Sequence, residues 1–246
     1  MKNRLLRPAL LFSAAAALLL LSTVGSTRAA LTYYSENYAV EVTVSSIGVS
    51  LLENGEIVSY RNYDEDKWNE GGGELLTHML DEGEELTPGK TYDEVLAVAN
   101  SGAIDSYVRV ILHKSWINSE GTVDTTLSPN LIDLNLTGSG WIEDEAASTP
   151  ERTVLYYTGV LPSGQSTPAF SDMLRIDPTI TAKVTETKTT DERGYQTITT
   201  TYTYDDYRFQ LDAEVDAVQT HNAQDAIKSA WGVEVDIAAD GSLSLR

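Results

Sequence analysis

Cysteine is absent from this 246-residue chain, which excludes a disulfide framework, a thiolate metal site and a cysteine nucleophile. Histidine is nearly as scarce. His78, His113 and His221 lie far apart, and none sits in the HExxH spacing that presents two imidazoles to zinc from one helix face. There is no GxSxG elbow. Gly71, Gly72 and Gly73 are consecutive but lack the lysine that a phosphate-cradling loop needs, so they read as a flexible loop. Basic residues are also few, 17 against 37 acids, for a net charge of −20. Such a field repels nucleic acid and anionic lipid and favours solubility, cations or basic partners. No Pro/Ser-rich linker divides the chain.

What basic charge there is gathers at the start. MKNRLLRP carries Lys2, Arg4 and Arg7 with no acid, and residues 9–24 are almost wholly Leu, Ala and Phe. That run is shorter than the ~20 residues of a membrane span. Small residues follow, with Thr27 and Ala29 at the −3 and −1 positions of a cleavage site. The pattern predicts a secretory signal peptide over residues 1–29, cut between Ala29 and Ala30. An uncleaved N-terminal anchor is the alternative, and it lacks a stop-transfer pattern and flanking charge. Cleavage removes four basic residues and no acid, which takes the net charge from −20 to −24. The expected product is a secreted chain, extracellular or at the cell surface, with no stable membrane span. Residues 30–246 are long enough for a single β-sandwich domain.

Alternation dominates that remainder. Residues 38–44, YAVEVTV, put Tyr38, Val40, Val42 and Val44 on one face, the period-2 mark of a half-buried strand. Asn54-Gly55 between two apolar runs is a hairpin signal, because both central positions of a type I′ turn need positive φ. Residues 61–85 lose periodicity and gather acids and glycines, which predicts a long surface loop with one helical turn around 75–80. Strands are expected at 92–99, at 106–113 and over 152–161. Val95, Leu96, Ala97 and Val98 suggest a central strand apolar on both faces.

Residues 180–207 read as a threonine-rich hairpin that projects from the body, because threonine suits a pleated surface exposed to water. Between residues 185 and 203 its large apolar side chains are Tyr195, Ile198 and Tyr202. A short helix is expected at 222–232, with Asn222 as N-cap and Gly232 just past the end. An alternating strand and an Asp240-Gly241 turn follow it. Many short strands with one small helix predict an all-β fold, an antiparallel β-sandwich.

Carboxylate clusters are the remaining place for chemistry. Asp64, Glu65 and Asp66 stand near Glu70, and Glu82, Glu84 and Glu85 form a second group. Calcium takes about six to eight oxygens, so Asp64, Asp66 and Glu70 are weak calcium candidates, a solvated acidic loop being the competing reading. DIAADG at 236–241 has Ala238 where an EF-hand has a ligand. No catalytic residue and no cofactor is assigned.

STRAALTYYSEN at 26–37, LTPGKTYDEVLAVANSG followed by a YVRV strand, and TVLYYTGVLPSG together resemble the TasA/camelysin family of secreted bacterial proteins. AVQTHNAQDAIKSAWGVEV is similar to the C-terminal stretch of exported proteins of this kind. The resemblance implies a jelly-roll-like sandwich, a dedicated signal peptidase, export to the cell surface or biofilm matrix and, in some members, fibres. Camelysin-type members act as metallopeptidases, but this chain has no recognisable zinc motif. The leading expectation is a non-catalytic surface or extracellular-matrix protein. It would self-associate, or bind other matrix or surface proteins, by strand addition. In the segment freed by cleavage Leu31 and Tyr33 alternate with Thr32 and Tyr34, as a donor strand requires. The alternative is an extracellular metal-dependent hydrolase of camelysin type.

Overall fold

The computed structural model describes residues 46–64, 67–77, 79–80, 84–190, 195–202, 204 and 207–246. The signal peptide, its Ala29-Ala30 junction, Leu31, Tyr33, the strand expected at 38–44, Asp66 and His78 lie outside the described residues. All those described belong to one compact unit, Val44–Arg246.

Antiparallel strands build nearly all of it. The first sheet uses β1 (Gly48–Glu53), β2 (Glu56–Asp64), β3 (Lys67–Gly71), β4 (Thr91–Ala99), β7 (Ile132–Asp133) and β10 (Ser171–Ile176). Its order is β3-β2-β1-β4-β10-β7. The second sheet uses β5 (Ser106–Ile117), β8 (Trp141–Glu143), β9 (Arg152–Tyr157) and β13 (Arg208–Gln219), in the order β13-β5-β9-β8, with β6 (Val123–Asp124) paired to the end of β5. The two sheets bury one face each against the other. Leu51, Leu96, Val98, Leu174 and Ile176 from the first join Val110, Leu112, Trp116, Leu155 and Leu211 from the second in one core. The fold is all-β and sandwich-like.

A third layer covers the back of the second sheet. Helix α1 (Ala223–Trp231) and the small hairpin of β14 (Val235–Ile237) and β15 (Leu243–Leu245) bury Ile227, Val235 and Leu243 against Tyr107, Ile111, Val154, Tyr156 and Val218. Arg109 and Asp216 pair on that same face, and the Arg109 guanidinium lies 5.2 Å from the centre of the Trp231 ring. The strand covered on both faces is therefore β5. In β4, which was expected to be, Tyr92, Glu94, Leu96 and Val98 are buried while Val95 is 39% exposed. A central position in a sheet brings ladder partners on both sides, but only a further layer covers a second face.

Two other expectations need correction. Residues 61–64 and 67–71 are not loop, because β2 runs on through Asp64 and β3 returns along it, with Arg61 opposite Glu70 and Tyr63 opposite Trp68. The pairing supplies backbone hydrogen bonds that no apolar alternation announced. At α1, Asn222 occupies the N-cap with φ of 51° and its side chain makes no cap bond, whereas Gly232, at φ 73°, closes the helix by donating to the Lys228 carbonyl. The positive φ turns the Asn222 side chain away from the first-turn amides.

The Asn54-Gly55 turn forms as expected, with φ of 51° and 89°. The threonine-rich hairpin consists of β11 (Val184–Thr190) and β12 (Gln196–Tyr202), a separate two-stranded sheet whose side chains are all exposed. It is shorter than expected at both ends. Ile180 is buried in a 3-10 turn of the body, and the chain leaves β12 before entering β13 in the second sheet.

Candidate functional site: a groove beside an open strand edge

Strand β13 ends the second sheet. Among the described residues it pairs along one edge, with β5, over its whole length from Arg208 opposite Ile117 to Gln219 opposite Ser106. Its inward side chains alternate as Phe209, Leu211, Ala213, Val215 and Ala217; Leu211 is buried and the others are only half-buried. An inner face that stays half-open at a sheet edge marks incomplete cover.

The other sheet extends past it. β1 packs opposite β13, and β2 and β3 continue the first sheet beyond β1. The register places Ser59 opposite Leu51 and Arg61 opposite Val49, so these side chains share the inner face. Tyr63, Trp68 and Glu70 follow by alternation. Trp68 is 53% exposed, its ring lies 5.0 Å from that of Tyr63, and the Arg61 guanidinium lies 4.6 Å from its centre. The overhang thus presents an aromatic and cationic wall with no strand of the second sheet opposite it among the described residues.

A groove runs beside β13. Its larger part is a cleft of about 1180 Å³ lined mainly by apolar side chains, among them Val58, Leu75, Met79, Leu86, Phe209 and Ala213. Trp116 and Phe209 meet edge to face at its floor, 6.2 Å apart. A smaller part of about 400 Å³ continues along Ala213, Glu214 and Val215 and is faced by Arg61 and Glu70. An apolar cleft beside strand amides and carbonyls that have no partner among the described residues is the form of site that accepts an extended peptide.

A pair of acids holds Leu76, which lines the larger cleft. Glu53 ends β1 and Glu94 lies in β4; they share the inward phase of Leu51 and Leu96. Glu94 is fully buried and Glu53 nearly so. The Glu53 Oε1 accepts the Leu76 backbone amide at 2.5 Å, and the Asn54 side-chain Nδ2 donates to Glu94 Oε2 at 3.4 Å. The Glu94 Oε1 is buried without a hydrogen-bond partner, and a carboxyl–carboxyl contact with Glu53 is bonding only when one proton lies between the two groups. Burial first, then the hydrogen bond and charge of Glu53, push Glu94 up to about 8. The shift favours the neutral form of Glu94.

Of the expected calcium ligands, Glu70 is the one whose side chain is among the described residues. Glu70 sits on β3, largely exposed, 3.6 Å from Arg61. The backbone of Asp64 ends β2 opposite Lys67. Among the described residues no three His, Asp or Glu side chains converge. In the 236–241 stretch Asp240 Oδ1 accepts the Ser242 amide at 3.0 Å and hydroxyl at 2.7 Å, which holds its carboxyl below the usual range, and Asp236 pairs with Arg246. His113 and His221 are both exposed. The groove and its acid pair went unread in the sequence, although a signal for Glu94 was there. Tyr92, Glu94, Leu96 and Val98 fall in one period-2 phase, and an acid in that phase is a buried acid. Comparison with protein-family models, with curated proteins and with solved structures gives no match for this chain.

Proposed function

We propose that this is a secreted, non-catalytic cell-surface or matrix protein of TasA/camelysin type, freed by cleavage between Ala29 and Ala30 and assembling by strand addition. The observation that carries the reading is an edge of β13 with no partner among the described residues, beside an apolar groove. The occupant is the N-terminal segment of a second copy. As a strand along β13 it would turn Leu31 and Tyr33 into the cleft and Thr32 and Tyr34 outward. Burying a large apolar side chain stabilises by roughly 1.5 to 3 kcal/mol, and main-chain bonds along the edge add to this.

The absence of cysteine allows a direct test. A copy carrying Tyr33→Cys is mixed with a copy carrying Val215→Cys under mild oxidation, in mature chains beginning at residue 30. A crosslinked heterodimer that is lost when Leu31 of the Tyr33→Cys copy is also replaced by Asp is the expected result. Filaments that form equally well without residues 30–37 in electron microscopy would remove the donor strand. Turnover by the purified protein with stoichiometric bound zinc would replace this reading with the peptidase one.

A further inference from the structure

We infer that Glu53 and Glu94 form a proton-operated latch that holds residues 72–77 against the end of β1 and thereby sets the opening of the groove beside β13. The consequence for assembly rests on the strand-addition reading; the latch itself does not.

The geometry supplies each part. The held segment includes Leu75 and Leu76, which pack on the core and line the cleft. Leu76 has φ of 68°, a left-handed conformation that a leucine keeps only where its surroundings impose it. Its amide is the donor to Glu53, so the carboxylate ties the strained residue to β1. Glu94 is locked behind Glu53 with one oxygen lacking any donor. With one proton between the carboxyls, Glu53 is free to accept the Leu76 amide. When that proton leaves to solvent, two like charges face each other in a medium that cannot screen them.

The half-buried segment is the element that can yield. β1 and β4 are joined to each other by their ladder, from Ser50 opposite Ala99 to Glu53 opposite Leu96, and cannot separate the acids without breaking it. Release of Leu76 lets Glu53 turn toward water and lets the residue leave its left-handed conformation.

Other charges around the pair do not neutralise it. Asn54 from the turn is uncharged. From β4, Tyr92 accepts the Thr87 amide through its hydroxyl at 2.8 Å, with the Lys90 ammonium 4.7 Å from its ring centre. From the segment and the chain after it, Glu74 and Glu85 line the cleft, and Glu84 pairs with Lys90. From the β13 side come Tyr207, Arg208 and Asp212. Lys90 is engaged by Glu84 and Tyr92, and Arg208 is exposed at the end of β13.

Hydrogen exchange of the Leu76 amide on the full chain, corrected for the intrinsic pH dependence, tests the latch without any second copy. Protection is expected to fall about tenfold or more as pH rises through the Glu94 transition, and to stay level in Glu94→Gln, whose carboxamide keeps the neutral donor. Glu53→Gln, which still accepts the Leu76 amide, gives the same level profile and serves if Glu94→Gln does not fold. Glu74→Gln keeps the wild-type profile. A level profile in the wild type, the same fall in both latch variants, or loss of the fall in Glu74→Gln would each overturn the inference. Strand addition is read separately, by the residue 33 to residue 215 crosslink. A working latch with no crosslink therefore removes the assembly reading and leaves the latch standing.

Discussion

Asn54 and Val95 clasp each other across the turn of the first hairpin: the Asn54 amide donates to the Val95 carbonyl at 2.8 Å, and the Val95 amide donates to Asn54 Oδ1 at 2.9 Å. A turn residue thereby carries the β1–β4 ladder one step past the end of β1. The same residue holds φ of 51°, which asparagine tolerates better than other non-glycine residues. Asn54→Gly is expected to lose the side-chain bonds alone, about 1 kcal/mol. Asn54→Ala also meets the left-handed backbone, for about 2 kcal/mol in all. Urea unfolding of both variants checks the order; equal losses would mean that the backbone conformation contributes nothing.

The acid pair gives stability a defined pH dependence. Glu94 is raised in the folded chain from its ordinary 4.5 to about 8, so between these values the folded state holds a proton that the unfolded state has lost. Its contribution is fully present below pH 4.5 and lost as pH rises through about 8. Glu94→Gln removes that loss. The variant is expected to gain on the wild type as pH rises, by about 1.4 kcal/mol per pH unit across the window for an independent site. Thermal melts across that window decide it, and parallel curves for the two proteins would exclude a titrating Glu94.

The threonine-rich hairpin is expected to serve interaction more than stability. Its register places Thr185 opposite Thr201, Thr187 opposite Thr199 and Thr189 opposite Thr197, so one face is threonine throughout. Tyr195 and Ile198 are 72% and 55% exposed. A lone two-stranded ribbon is marginal in water, so replacing residues 186–200 by an Asn-Gly turn should leave the melting temperature nearly unchanged and reduce self-association. A large drop in melting temperature would show that the hairpin belongs to the core.

Helix α1 should behave in the opposite way. Ile227 is fully buried against the back of the second sheet, and Ile227→Ala is expected to cost about 2 to 5 kcal/mol. Chemical denaturation checks this, and a loss under about 1 kcal/mol would make the third layer an appendage.

Assembly of so acidic a chain works against its own charge. Added salt screens repulsion over about 8 to 10 Å at moderate ionic strength, so self-association is expected to rise with salt. Light scattering along a salt series checks the sign, and a decline would point to an oppositely charged contact such as Arg61 with an acid of the neighbour.

Local physics was legible in the sequence. Positive φ at Asn54-Gly55, the alternation of residues 92–98, the exposed threonines of 184–202 and the Gly232 helix stop each follow from the conformational freedom or side-chain period of a few adjacent residues. Those features sufficed for an all-β sandwich with one helix. Layer cover and strand pairing were decided only in three dimensions. Whether β4 or β5 is buried on both faces depends on where α1 docks, and an apolar run reads alike in either case. Residues 61–64 and 67–71 form strands through a backbone ladder whose register no apolar period encodes. The groove exists because one sheet outreaches the other, and the acid pair because β1 and β4 are neighbours in space though some forty residues apart in the chain. Period and propensity act between near neighbours in sequence, whereas an open edge, a cleft and a shared proton arise from contacts between distant ones.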